Sequence, residues 1–346
     1  GRRRGDGHRG DDDPGVRGQA AVAAPVAAHR AQRRGGKGKT GMSTKEEDFV
    51  ADLFVASTHS FILFFTNFGR VYTLKVHELP QAGRAAKGKA LVNFLPFDQD
   101  ERLQAVLPVR EFEEGKFIIT ATAHGLVKKT DLMAYCSIRA TGIIGVLIDE
   151  GDKLIDARIT DGKQMVFLSS RQGKSVCFKE EEVRPMGRGT RGVKGISLAE
   201  DDQMVSMEIL SPQLNATVLT VTENGYGKRT SVEEYPIHHR GGSGVITIKT
   251  TERNGNVVDV YQVSDDDQLM IITSKGKIIR LKVEDISVIG RNTQGVRLIH
   301  IAKDEKVSGV CRLMEKEENG EGIEGPAEDL PEEQAEPNGD QEKEES

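Results

Sequence analysis

The chain has no tryptophan and only three cysteines in 346 residues, and aromatic side chains make up 5% of it. Cys136, Cys177 and Cys311 are far apart and odd in number. That excludes a disulfide framework and a cysteine-based zinc site, and it points to a reducing compartment. No run of 18 apolar residues occurs, so no helical membrane span is expected. The N-terminus, rich in Gly, Arg and Asp, offers no apolar stretch of the kind a signal peptide needs. The expected location is therefore the cytoplasm, away from any membrane.

Glycine, by contrast, is plentiful, with 38 copies. Much glycine with few aromatics suits many short strands joined by tight turns. The net charge of −6 conceals an uneven distribution. Residues 315–346 carry 14 Asp and Glu against Lys316 and Lys343, a net of −12. The remainder carries 46 Lys and Arg against 40 Asp and Glu, a net of +6. The acidic tail has too little apolar surface to offset the entropy of ordering and is expected to be disordered. Residues 1–29 show neither strand nor helical periodicity and read as an irregular segment.

From Asp48 onward the chain repeats itself. Each unit has a β-rich run, a turn at glycine and a second run carrying cations. A Gly/Arg-rich loop and a further apolar run complete it. The turn glycines are Gly69, Gly125, Gly173, Gly225 and Gly276, spaced by 56, 48, 52 and 51 residues. Glycine between two β-branched or aromatic runs is a hairpin signal. One hairpin cannot bury its own apolar face, but stacked four-stranded units can. A period near 50 residues therefore predicts an all-β, propeller-like array.

The Gly/Arg-rich loop recurs as Gly83–Lys89, Ser137–Gly142, Arg184–Gly195, His239–Gly244 and Gly290–Gly295. A sixth version is Gln32-Arg33-Arg34-Gly35-Gly36-Lys37-Gly38, three cations and three glycines with no apolar residue. Five complete units thus follow one partial unit. Lys128/Lys129, Lys228/Arg229 and Lys277/Arg280 recur after the same turn. Cations at one position of each unit are expected to fall on one rim of the array. Such a track suits a duplex backbone read without regard to sequence.

Other motifs dissolve on inspection. Gly38-Lys39-Thr40 ends like a phosphate loop, but Arg33 stands where its first glycine belongs. Gly83–Lys89 has the spacing, yet Ala90 replaces the Ser or Thr that would hold magnesium. Gly187–Gly192 spells a dinucleotide fingerprint without its strand-to-helix context. His238-His239 has no companion ligands nearby, so no metal is expected. No nucleophile with a positioned base is visible.

The box Gln32–Gly38, followed by five repeats with Gly-x-x-Lys-Arg-type turns, resembles the C-terminal domain of the DNA gyrase A subunit. The box is that family's hallmark, and the resemblance covers about Arg30 to Met314. It implies a six-bladed β-pinwheel over residues 30–314 that wraps double-stranded DNA around a basic perimeter. It implies that the box on the first blade is needed for negative supercoiling. By position, the box residues Gln32, Arg33, Arg34, Gly35, Gly36, Lys37 and Gly38, with Lys39, inherit DNA contact. So do Arg70, Arg84, Lys87, Lys89, Arg139, Arg188, Arg191, Lys194, Arg240 and Arg291, beside the repeated cations named above. The implied partners are the gyrase B subunit, with the rest of the A subunit, in an A2B2 holoenzyme. ATP and magnesium belong to other parts of that assembly, leaving no cofactor and no catalytic residue in this chain.

Two departures stand out. In the family a Gly-Tyr-x-Lys-Arg-like turn precedes the box, whereas Gly18–Ala28 is Ala-rich and lacks those cations. Residues 1–29 are therefore expected to be mis-specified, leaving blade one incomplete. The domain bearing the DNA-cleaving tyrosine is also missing, so this chain alone is not expected to cut DNA. Three other readings stay open: the related topoisomerase IV domain, which an intact box disfavours, a propeller serving as a protein-binding scaffold, and a free-standing enzyme.

Overall fold

Five times over, the sequence repeat becomes a hairpin. The computed structural model describes residues 57–79, 91–211 and 216–313, with the backbones of Gln19–Ala20, Lys39–Thr40 and Lys89–Ala90. All lie in the unit Gly1–Glu315; the second unit, Lys316–Ser346, is outside them. The hairpins are Phe61–Thr66 with Arg70–Lys75, Phe117–Thr122 with Leu126–Asp131, and Met165–Ser170 with Lys174–Lys179. Thr217–Thr222 with Tyr226–Ser231 and Gln268–Thr273 with Lys277–Lys282 complete the set. Each turn holds the expected glycine at φ between +72° and +84°. At Gly173 a Cβ would also lie 2.3 Å from the Ile248 carbonyl oxygen, so both dihedral and space demand glycine.

On one edge each hairpin gains a seven-residue antiparallel strand: Leu103–Val109, Leu154–Thr160, Met204–Leu210, Val257–Val263 and Val307–Leu313. These five strands pack side by side in chain order and form the inner layer. Each pairing slips by one residue at the turn-proximal end, as at Leu154/Asp156. Such a bulge adds twist where neighbouring strands converge.

The other edge takes a two-residue strand from the following repeat. Counting the five described blades from the Phe61–Lys75 hairpin, Ile143–Ile144 pairs with the first blade, Val193–Lys194 with the second, Val245–Ile246 with the third and Val296–Arg297 with the fourth. The fifth blade takes Lys39–Thr40, the residues directly after the box, with Lys39 opposite Ile278. Every blade is thus completed by another repeat, and the last one by the N-terminal part of the chain.

A six-bladed array with an incomplete first blade was expected, and the described residues form five four-stranded blades. In place of the sixth is a two-stranded sheet in which Gln19 pairs with Ala90 and Ala20 with Lys89. Gln19–Ala20 lies in the segment expected to be irregular.

The core lies between blades. Leu63 and Phe65 on one face of the first blade meet Ile118, Leu132 and Leu154 of the second. Ile119 and Ala121 face the other way, onto Val166, Leu168 and Phe178 of the third. The same alternation continues through Phe167 against Val218 and Leu219 against Ile271. Neighbouring residues of one strand therefore serve two different interfaces, which is the period-2 rule with both faces covered. Each such Leu, Ile or Phe contributes roughly 1.5–3 kcal/mol on burial.

Candidate nucleic-acid interface

Among the described residues, Arg139, Arg188, Arg191, Lys194, Arg240 and Arg291 lie on the outer strands or the loops leading into them. Seven of the expected cations are instead on hairpin strands: Arg70, Lys128, Lys129, Lys228, Arg229, Lys277 and Arg280. Lys128, Lys129, Lys228 and Arg229 are 1%, 4%, 0% and 5% exposed, so the expectation that they line the surface is corrected. The reason is geometric. They sit on the third strand of a blade, which is covered on both faces, so neither side of that strand points outward.

Their partners show what they do instead. Lys128 Nζ donates to the carbonyl oxygens of Gly145 at 2.6 Å and Arg188 at 2.5 Å. Lys228 Nζ donates to those of Gly290 at 2.6 Å and Arg291 at 2.5 Å. In both blades a buried ammonium grips the Gly/Arg loop of the following repeat from behind. Burial pushes both lysines down to about 8. Lys129 reaches the Glu180 main-chain oxygen at 3.2 Å. Arg229 bonds the Ile286 carbonyl at 2.8 Å and pairs with Asp265.

The remaining expected cations divide into stitches and exposed groups. Arg240 donates to the Lys194 carbonyl at 3.0 Å, and Arg291 to the Ile246 carbonyl at 3.2 Å. Each holds its loop against the preceding outer strand. Arg70 pairs with Asp98 at 2.6 Å and reaches the Thr141 carbonyl at 2.8 Å. Arg191 pairs with Asp149 at 2.8 Å and stays exposed, whereas Lys277 is tied to buried Glu305 at 2.6 Å. Arg280 is half-buried and bonds the Gln268 amide oxygen at 2.6 Å. Arg139 and Lys194 are exposed, and Arg188 is half-buried. The box Gln32–Gly38, Arg84 and Lys87 lie outside the described residues; of Lys39 and Lys89 only the strand pairing is described.

Sequence reasoning overlooked other exposed cations. Arg297 occupies the outer-strand position of Lys194: Gly192-Val193-Lys194 matches Gly295-Val296-Arg297, with both glycines at positive φ. Lys174, Arg184, Lys249 and Arg253 are also exposed. The Gly-Val-cation spacing was the signal that could have found Arg297.

These features define an all-β repeat propeller whose successive blades present short outer strands flanked by cationic loops. The family model of the DNA gyrase C-terminal domain, beta-propeller, matches residues 30–57, 60–110, 116–161, 164–211, 216–264 and 267–310. The chain belongs to that family. It is 52% identical over 291 residues to the DNA gyrase A subunit of Salmonella typhimurium, covering 84% of this chain and 33% of the relative. To the DNA gyrase A subunit of Escherichia coli it is 50% identical over 305 residues, covering 88% and 35%. To that of Staphylococcus aureus it is 44% identical over 296 residues, covering 85% and 33%. The chain thus spans about a third of the length of these relatives. A solved DNA gyrase A C-terminal domain shares the fold at a TM-score of 0.74 and 23% identity, covering 84% of this chain and 95% of that one. The C-terminal domain of a DNA topoisomerase IV follows at 0.68 and 28% identity, covering 74% and 80%.

Proposed function

We propose that this chain binds duplex DNA along the outer strands without sequence preference and curves it around the array. In that role it supports ATP-dependent negative supercoiling by a gyrase of A2B2 composition, built from this domain with the rest of the A subunit plus the B subunit. The cleavage chemistry, ATP and magnesium belong to those other parts.

The observation that carries the reading is the repeated outer-strand architecture. Blade after blade presents an edge strand with a cationic loop beside it, including Arg139, Lys194 and Arg297. Side-chain bonds to main-chain carbonyls, such as Lys228 to Gly290 and Arg240 to Lys194, hold these loops against neighbouring blades. Bending 20–30 bp by 40–90° costs about 1–6 kcal/mol, which phosphate contacts distributed over several blades offset. The family and its curated relatives, each a DNA gyrase A subunit, support the same reading.

The test is the salt dependence of duplex affinity. Each phosphate neutralised adds roughly −0.9 to the slope of log K against log salt. A slope of several units supports a distributed backbone track. A slope near zero, or the absence of duplex binding in dilute buffer, contradicts it and favours a protein-binding scaffold.

A further inference from the structure

We infer that Arg253 and Arg297, both held on the ring of Tyr226, form a phosphodiester-binding site on the fourth blade. This rests on the duplex-binding reading above and names one place where it acts.

Tyr226 opens the second hairpin strand and is 5% exposed. Arg297 lies directly opposite it in the outer strand. Its NH2 donates to the tyrosine hydroxyl at 2.6 Å, and its guanidinium carbon stands 5.2 Å from the ring centroid. Arg253 arrives from the loop before the inner strand and stands 5.0 Å from the same centroid. The π-face attracts both cations and orders two long side chains that would otherwise sample many rotamers. Hydrogen bonds from Arg297 and Arg253 hold the Tyr226 hydroxyl below its ordinary pKa.

The main chain beneath the two arginines is built to keep them together. Asn254 is fully buried; its amide nitrogen donates to the carbonyl oxygens of Lys249 at 2.8 Å and Gln294 at 3.0 Å. Its amide oxygen accepts from the Thr251 main-chain nitrogen at 2.8 Å. Asn224 in the hairpin turn donates to the Arg253 carbonyl at 3.3 Å. The Arg253 loop is therefore tied to the strand that carries Arg297.

Charge sets this junction apart from the others. Two residues before the inner strand, the other four blades place an acid with a buried side chain: Glu101, Asp152, Asp202 and Glu305. Each bonds the adjacent hairpin, as Glu305 does with Thr273 and Lys277. The fourth blade has Gly255 at that place, and the neutral Asn254 just before it. Among the described residues neither Arg253 nor Arg297 forms an ion pair with a carboxylate, whereas Arg70, Arg191, Lys275 and Lys277 all do. Glu223, in the nearby turn, is engaged by Lys306 at 3.4 Å. Arg297 has one further contact, His300 Nδ1 at 3.2 Å. Two exposed guanidinium groups, preordered and lacking an internal anion, match the paired oxygens of a phosphodiester.

The test uses the whole chain and a linear, mixed-sequence duplex titrated with salt. The variant pair Arg253→Gln and Arg297→Gln makes the slope of log K against log salt shallower by about 1.8, two phosphate contacts. Arg110→Gln with Lys163→Gln, equally exposed cations away from the outer strands, leaves the slope unchanged. Tyr226→Phe keeps the ring and every charge but frees Arg297; it weakens binding about fivefold with an unchanged thermal midpoint. Were the double arginine variant to keep the full slope while the parent chain binds steeply, this site is wrong and the general reading stands. A parent chain with no salt-dependent binding defeats both. Capture of an acidic peptide in preference to duplex, lost in the double arginine variant, overturns the phosphodiester as ligand.

Discussion

The fully buried ammonium of Lys228 holds the carbonyl oxygen of Arg291 at 2.5 Å, and Arg291 in turn bonds the Ile246 carbonyl of the preceding outer strand. A residue inside one blade thereby fixes a perimeter loop that belongs to the next. Removing it leaves two carbonyl oxygens, those of Gly290 and Arg291, without their donor. Lys228→Met should destabilise the fold by roughly 1–3 kcal/mol in urea unfolding. Hydrogen exchange should quicken at Arg291 before it does at Leu219 in the core.

Protonation of the same lysines makes stability depend on pH. Lys128 and Lys228 fall to about 8 when folded, against 10.5 for an ordinary lysine. Between those values the unfolded chain holds more protons than the folded one, so stability rises with pH across the window. The charge-burial penalty is fully present below about 8 and relieved above 10.5. The urea midpoint of the parent chain should gain on that of a Lys128→Met/Lys228→Met chain as pH rises from about 8 to 10. A constant gap contradicts the account.

The opposite sign applies at Asp259 on the inner layer. Burial raises it from 3.8 to about 6, although Ser206 donates to its carboxylate at 2.8 Å. The folded chain then holds the extra proton, and stability from this group is present below 3.8 and lost as pH climbs through about 6. Asp259→Asn should therefore stabilise the fold by roughly 1–3 kcal/mol at neutral pH, with the advantage vanishing in acid. Thermal melts of the two chains across that range measure the difference.

Glycine demand differs sharply among the positive-φ positions. At Gly244 a Cβ would stand 2.2 Å from the Ser175 carbonyl oxygen, while at Gly115 nothing lies within 4 Å. Both have φ near +70°. Gly115→Ala should cost about 1 kcal/mol from the dihedral alone, and Gly244→Ala more than ~2 kcal/mol because the outer strand must also move. Comparable losses at the two sites would show that the outer strand is not seated as described.

Much of this architecture is legible in the residues, because turn glycines recur where β-branched runs meet. Gly69, Gly125, Gly173, Gly225 and Gly276 mark five hairpins, and all five form. The lysines were misread for a definite reason. Adjacent cations such as Lys128-Lys129 look like surface on any scale of polarity, yet a strand covered on both faces has nowhere to expose either. The carbonyls of Gly145, 17 residues away, and Arg188, 60 residues away, reveal what Lys128 is for. The apolar run after each Gly/Arg loop, such as Val245-Ile246, was legible, but its pairing was not, because its partner strand belongs to a different repeat. Arg253 and Arg297 escaped notice with it, since their meeting on Tyr226 depends on that swap.

The central claim is that the chain forces duplex DNA to follow a curved path of one hand. Relaxed circular plasmid should be incubated with the whole chain, sealed by a nicking-closing enzyme and resolved by linking number. A shift of one sign that grows with protein and disappears at high salt is the predicted result. A distribution identical to that of plasmid without protein, under conditions where the chain is folded and bound to DNA, would contradict it.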